Sequence, residues 1–225
     1  MGALPGRLEQ WMPQVKSAGL RWGVECCLIF AILERESMGG VMCKPKGPTG
    51  TGDWTPRKWS HYVTRNDLDR FKNWMPTQIE YSKMPWFKKG DKPEEICMPA
   101  DEQGWGRGLM QLDWADPSNA EFLSERLEDG SFAWQNAESN VDMGTHKLSE
   151  LIKAFDGNEE YASAAYNAGE GRVRHALLNM SLPATDWKKS RAVNAITTGG
   201  DYAANVMSYR EQFRRALASP IPSDK

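Results

Sequence analysis

The chain of 225 residues is long enough for one large folded domain or two small ones. Its apolar fraction of 40% and its charged fraction of 26% are ordinary for a folded soluble protein. The formal net charge of -2 argues against an electrostatic nucleic-acid binder, because phosphate binding requires an excess of Lys and Arg. The longest apolar run, from Cys26 to Leu33, is too short for a membrane span, and we expect no signal peptide at the N-terminus.

The first part of the chain predicts two helices. A short helix is expected over residues 7–18, ended by Gly19. The following residues, Leu20 to Arg35, are almost continuously apolar in their second half, which is typical of a helix buried on most sides. The glycine pair at positions 39 and 40 is expected to end this second helix.

Residues 41–98 differ in composition, being rich in Lys, Pro and Gly and carrying four tryptophans. They show no strong apolar period, and only the residues from Asn66 to Trp74 suit a short helix. We interpret them as a lid or subdomain inserted into a single domain that spans residues 1–225. Such a segment could cover or extend a cleft, or bind a partner protein.

The four cysteines do not form the pattern of a disulfide scaffold or of a zinc site. Cys26 and Cys27 are adjacent in the apolar run and are expected to pack as small hydrophobic side chains. Cys43 and Cys97 lie near the two ends of the insertion, so a disulfide between them stays open. No metal and no organic cofactor are indicated.

Helical periodicity returns after a small β-hairpin that we expect near Gly104 to Asp113. A helix ended by Gly157 carries its apolar residues on one face, namely Val141, Leu148, Leu151, Ile152 and Phe155. Helices are also expected over residues 161–166, 172–179 and 201–218, with a turn at residues 167–171. The predicted fold class is therefore mainly α, a helical bundle around a buried central helix.

One carboxyl group suits acid catalysis. Cleavage of a glycosidic bond requires a carboxylic acid that is still protonated near neutral pH, and an apolar surrounding favours the protonated form. Glu36 stands where the apolar helix ends, so its backbone is held firmly while its side chain can face a cleft. Glu34 occupies the same helix end, so this position alone does not distinguish the two.

Four motifs, taken in their order along the chain, resemble the lysozyme superfamily of goose-type lysozymes and soluble lytic transglycosylases, and are more similar to the goose-type branch. The motifs are R-E-S at Arg35 to Ser37, G-L-M-Q-L-D at Gly108 to Asp113, A-Y-N-A-G-E-G-R-V at Ala165 to Val173, and D-Y-A-A-N-V at Asp201 to Val206. This resemblance implies an α+β lysozyme-like fold. The long insertion departs from the goose-type pattern. The cysteines do not reproduce the disulfide pattern of the secreted animal proteins, which favours a bacterial or phage protein.

The resemblance also implies roles for individual residues. Glu36 would protonate the glycosidic oxygen between N-acetylmuramic acid and N-acetylglucosamine in peptidoglycan. Asp113 would position the attacking water, unless it is a structural cap, and either Asp101 or Glu102, with Glu102 favoured by spacing, would be a second acid. The remaining implied residues would line the substrate cleft, and these are Ser37, Gly108, Met110, Gln111, Tyr166, Asn167 and Tyr202.

Two reactions use the same acid. A hydrolase needs a second carboxylate that holds a water molecule, roughly 6.5 to 9.5 Å from the acid when the reaction inverts the sugar. A lytic transglycosylase needs no water, because the 6-hydroxyl of the muramic acid attacks and forms a 1,6-anhydro end. The carboxylates near the hairpin favour the hydrolase, with the transglycosylase and a non-catalytic wall-binding module as alternatives. Each would act on peptidoglycan glycan strands in the periplasm, outside the cell or after delivery by a phage.

Overall fold

The computed structural model describes residues 4–52, 61–63, 97–99, 101, 103–180 and 185–218. The predicted helix from Asn66 to Trp74 and the candidate acid Glu102 lie outside the described residues. The helices before the insertion are α1 (Gly6–Glu9), α2 (Met12–Trp22) and α3 (Cys26–Ser37). The prediction of a mainly helical fold around a buried central helix is confirmed, because α3 is buried along nearly its whole length.

The predicted boundary between the first two helices was wrong. Helix α2 continues through Gly19 to Trp22 and is capped by Gly23, which has a left-handed φ of 69°. Leu20, predicted to begin the buried helix, lies on α2 with 88% of its surface exposed. Gly19 is needed for close packing instead of termination, because a Cβ there would lie 2.8 Å from the carbonyl oxygen of Val24.

The second half of the chain supplies six further helices among the described residues. These are α4 (Ala120–Ser124), α5 (Ala137–Ala154), α6 (Glu159–Ala168), α7 (Glu170–Leu178), α8 (Asp186–Ala195) and α9 (Tyr202–Ala218). Asparagine side chains cap the N-termini of two of these helices. Asn136 accepts from the Ser139 amide at the start of α5, and Asn158 accepts from the Tyr161 amide at the start of α6. Short 3-10 turns at 117–119, 133–135 and 198–200 connect the helices.

The turn predicted at residues 167–171 is much shorter than expected. Asn167 and Ala168 still belong to α6, and α7 begins at Glu170. Gly169 alone makes the break, with a left-handed φ of 89° that a residue with a side chain rarely adopts. Helix α8 was not predicted, because it is mostly polar and shows little apolar periodicity.

The core forms where other helices pack against α3. Helix α9 packs along α3 and α6, while α2 packs against α5. Glu25, which precedes α3, forms ion pairs with Arg210 and Arg214 on α9. The hydrogen bond from Arg214 is the main reason that the pKa of Glu25 falls to about 2. None of the described helices combines the length and the apolar character needed to cross a bilayer.

The predicted hairpin is present as part of a small antiparallel sheet. Strand β1 (Thr51–Gly52) pairs with β4 (Gly106–Arg107), and β4 pairs with β5 (Leu112–Asp113) in the register Gly106 to Asp113. The start of the predicted insertion, up to Gly52, is therefore part of the same folded unit as the hairpin. Elsewhere β2 (His61–Val63) pairs in parallel with β3 (Cys97–Pro99). The single-domain interpretation stays a prediction.

A glycine on α5 allows the hairpin turn to pack closely against that helix. A Cβ at Gly144 would lie 2.6 Å from the Cβ and Cγ of the buried Met110. We expect Gly144→Ala to lower the free energy of unfolding by about 1–3 kcal/mol, because the packed core cannot accept the added methyl without strain. Urea unfolding followed by circular dichroism measures this loss.

Gly171→Ala is the matched control, since Gly171 lies within α7 and a Cβ there meets nothing within 4 Å. Its stability should equal or exceed that of the wild type because alanine favours the helix. Equal stability of the Gly144→Ala variant and the wild type would contradict the close packing.

Candidate active site

The last turn of α3 directs its two glutamates to different surroundings. Glu34 is buried and forms a two-point ion pair with Arg7 of α1, with Nη2 to Oε1 at 2.5 Å and Nε to Oε2 at 3.1 Å. Glu36 is half-buried and accepts a hydrogen bond from the hydroxyl of Tyr202. The structure therefore separates the two carboxyl groups that the sequence left together, since Glu34 has a structural partner.

Two tyrosines lie close to Glu36. Burial raises the pKa of both Tyr166 and Tyr202 well above the usual value, and the negative charge of Glu36 adds to the effect. Both phenols therefore stay protonated and act as hydrogen-bond donors. Tyr202 donates to Glu36, whereas Tyr166 donates to the carbonyl oxygen of Met110 at 2.9 Å.

The G-L-M-Q segment forms the four-residue turn between β4 and β5. Gly108 has a left-handed φ of 69°, and a Cβ there would lie 2.8 Å from the carbonyl oxygen of Trp134. The Gln111 side chain donates back to the Gly108 carbonyl at 2.6 Å. Asn140 of α5 bridges the turn, accepting from the Met110 amide at 2.8 Å and donating to the Arg107 carbonyl at 3.0 Å.

Ser37 connects this turn to the helix that carries Glu36. Its hydroxyl donates to the Leu109 carbonyl at 2.7 Å and accepts from the Gly40 amide at 3.0 Å. Ser37 and Met110 are fully buried, so their side chains have no surface for a sugar in this structure. Their observed contacts hold the backbone beside Glu36, which differs from the substrate contact predicted for them.

The carboxylates near the hairpin have structural partners. Asp101 forms a two-point ion pair with the buried Arg107, with N to O distances of 2.9 and 3.0 Å. Asp113 is exposed and accepts from the Ala115 amide at 2.8 Å, which is the geometry of a turn cap. Cys43 is a buried free thiol, so it forms no disulfide with Cys97.

Asn167 lies at the end of α6, next to Tyr166 in the chain. Its Oδ1 accepts from the Thr198 amide at 2.8 Å, in the loop before α9. This bond fixes the orientation of the side chain, so its Nδ2 group is the part left for a ligand. Within the described ranges, no group of three or more His, Cys, Asp or Glu is placed to hold a metal ion.

The segment that carries the hairpin has a recognisable family pattern. Residues 90–185 match the transglycosylase SLT domain. The SLT match covers the hairpin and helices α4 to α7, which is fewer than half of the residues of the chain. Glu36 precedes the matched segment and Tyr202 follows it, so the contact between them is an observation independent of the match.

Curated relatives match over a similar length. The soluble lytic murein transglycosylase of Salmonella typhimurium is 36% identical over 80 residues, which is 36% of this chain and 12% of that protein. The protein of the same name from Escherichia coli K12 is 35% identical over 77 residues, again 12% of its length. The match thus spans only about an eighth of these relatives. They support the transglycosylase side of the predicted resemblance, and the closer placement in the goose-type branch is not shown.

A solved structure has a similar fold. It is an inactive mutant of the lytic transglycosylase Slt from Pseudomonas aeruginosa, with a TM-score of 0.51 and 20% sequence identity. The alignment covers 94% of this chain and 25% of that one. Because the sequence identity is only 20%, this similarity establishes the fold alone.

The contacts of Arg35 and Asn140 were not predicted from the sequence. Asn140 follows the polar start of α5 and is completely buried, so its amide serves the hairpin turn. The only available signal was an asparagine directly before the apolar position Val141. Arg35 lies between the two glutamates, and its guanidinium stands 5.1 Å from the centre of the Tyr202 ring.

The hydrogen bonds of the Ser37 hydroxyl predict a measurable contribution to stability. Ser37→Ala leaves the buried Leu109 carbonyl and Gly40 amide without this partner, so we expect a loss of about 1–3 kcal/mol in the free energy of unfolding. Chemical denaturation measures the loss. Ser124→Ala is the control, because that exposed hydroxyl bonds to carbonyls of its own helix region. Equal effects of the two substitutions would argue against the link.

Proposed function

We propose that this chain cleaves the glycan strands of peptidoglycan as a lytic transglycosylase, with Glu36 as the acid. The observation that carries the proposal is the single half-buried carboxyl group at the end of α3, held by Tyr202 and tied through Ser37 to the hairpin turn. The SLT match over residues 90–185 supports the substrate class. The names of the relatives support the reaction type.

In the proposed reaction Glu36 gives its proton to the glycosidic oxygen as the bond from that oxygen to C1 of N-acetylmuramic acid breaks. The 6-hydroxyl oxygen of the same muramic acid then bonds to C1 and releases its proton to the Glu36 carboxylate. The product has a 1,6-anhydro ring, no water is consumed, and Glu36 regains its original proton. One carboxyl group therefore serves as acid and then as base.

The transglycosylase replaces the hydrolase that the sequence favoured. That preference depended on a second carboxylate to hold water, offered by Asp113 together with Asp101 or Glu102. Asp101 is paired with Arg107, and Asp113 caps a turn, so both have structural tasks in this structure. Glu102 lies outside the described residues and takes no part in the argument.

Asn167 is proposed as a substrate ligand. Because its Oδ1 is occupied by the Thr198 amide, it would offer its Nδ2 protons to an oxygen of the sugar, such as a hydroxyl or an acetamido carbonyl. Tyr166 would line the cleft beside it. The protein partner suggested for the insertion and the location at the cell wall stay predictions.

The products of digestion test the proposed reaction. Purified peptidoglycan is treated with the wild type and with Glu36→Gln, and the soluble muropeptides are identified by mass spectrometry. We expect 1,6-anhydro ends from the wild type and a loss of about 100-fold or more in the variant, because the amide cannot donate the proton. Release by both proteins would remove Glu36 from the mechanism, and binding without release by either would favour a wall-binding module.

Asp113→Asn is the matched control for the choice of reaction. A transglycosylase should keep its 1,6-anhydro products and most of its rate, because an asparagine can still cap the turn. Products with reducing N-acetylmuramic acid ends, lost in Asp113→Asn, would restore the hydrolase.

Asn167→Asp tests the donor role of the amide. The carboxylate can still accept from the Thr198 amide, but it offers no proton to the sugar and places a negative charge at the end of α6. We expect kcat/KM on soluble glycan strands to fall about 10-fold or more, with little change in the unfolding midpoint.

Asn179→Asp makes the same change of charge on an exposed residue whose side chain hydrogen-bonds His175. That control should keep the wild-type rate, and equal rates for Asn167→Asp and Asn179→Asp would contradict the role of Asn167.

A further inference from the structure

Arg35 makes contacts that bear on the reacting carboxyl group through another side chain. Its guanidinium carbon stands 5.1 Å from the centre of the Tyr202 ring, while the Tyr202 hydroxyl donates to Glu36. Arg35 Nη2 also lies 3.5 Å from the Thr198 carbonyl and 3.8 Å from Oδ1 of Asp201. These contacts hold the cation on the face of a ring whose polar end touches Glu36.

A cation over an aromatic face draws electron density from the ring. For a phenol this makes the hydroxyl a stronger hydrogen-bond donor, and the hydroxyl of Tyr202 is directed at Oε1 of Glu36. A stronger donor favours the carboxylate over the carboxylic acid.

The groups that surround the pair define the local charge. The pKa of the Tyr202 phenol is affected by the charges of Glu36, Tyr166 and Arg35. Burial keeps the phenols of Tyr202 and Tyr166 protonated. Asp201 faces Arg35 from the residue before α9, with its own side chain 58% exposed. Glu34 on the same helix turn is paired with Arg7 and not with Arg35. Arg35 is thus a cation that acts on Tyr202.

We propose that Arg35 is a positioning residue that acts through Tyr202 to set the pH range in which Glu36 donates its proton. This inference rests on the proposed function of Glu36 as the acid. Glu36 must release its proton to the leaving oxygen, so a group that favours the carboxylate assists the first step. The same group limits activity at high pH, because the enzyme loses its acid as Glu36 ionises.

The test is the pH dependence of kcat/KM on soluble glycan strands. In Arg35→Gln the alkaline limb should move to higher pH by about half a unit, because the carboxylate loses part of its support. The position of the limb does not depend on the amount of correctly folded protein, so a partial loss of folding leaves the result readable. Arg35→Lys, which keeps the charge, should restore part of the shift.

The double variant Arg35→Gln with Tyr202→Phe tests the route of the effect. Tyr202→Phe alone should also raise the alkaline limb, since Glu36 loses its donor. If Arg35 acts through Tyr202, adding Arg35→Gln to Tyr202→Phe should produce no further shift. A full additional shift in the double variant would mean that Arg35 acts on Glu36 directly and would overturn the proposal.

Arg174→Gln is the matched control. Arg174 also stands over an aromatic ring, with its guanidinium carbon 5.0 Å from the centre of Phe155, and it also pairs with a carboxylate, that of Glu170. Its pH profile should match that of the wild type. If the wild type is active and the pH profiles of Arg35→Gln and Arg174→Gln are identical, the role of Arg35 is overturned while the proposed function stands. An inactive wild type would instead overturn the proposed function.

Discussion

The end of the buried helix α3 is the constraint on which the candidate site depends. Successive residues of a helix point about 100° apart, so four consecutive residues face four directions. Glu34 faces Arg7, Arg35 faces the Tyr202 ring, Glu36 meets the Tyr202 hydroxyl, and Ser37 meets the Leu109 carbonyl. Because the helix is packed against α9 along its length, it cannot rotate to exchange these partners. A core that buries α3 therefore also orients the carboxyl group.

The contacts around Glu36 form a continuous path between neighbouring elements. Ser37 connects α3 to the hairpin turn, and Tyr166 connects that turn to α6. Asn167, next in the chain, connects α6 to the Thr198 loop, whose carbonyl lies near Arg35. Several of these bonds end on backbone atoms, so each fixes a piece of chain as well as a side chain. Such mutual support keeps the Glu36 carboxyl group in place without a ligand.

The sequence predicted the helical class, the buried central helix and the hairpin, whereas the assignment of Glu36 as the acid came from the motif resemblance and stays a prediction. The structural features were readable because apolar runs and glycine positions report local structure directly. The end of α2 and the start of α3 were not, since Gly19 looks like a stop but serves close packing with Val24. The buried position of Ser37 was hidden as well, because a motif gives a residue type and not the direction of its side chain. The pairing of Asp101 with Arg107 likewise required the folded sheet.

The part of the predicted insertion that follows Gly52 leaves and re-enters the fold beside the hairpin, which explains how so long a segment is tolerated. Before it, β1 pairs with β4, and after it the Gly104 amide donates to the Thr51 hydroxyl at 3.0 Å. The ion pair of Asp101 with the buried Arg107 fixes the returning chain at the same edge. The entropic cost of closing a loop grows only slowly with its length once its ends are held together. The segment can therefore change in length or sequence while Ser37 and Tyr202 continue to hold the last turn of α3 as they do now.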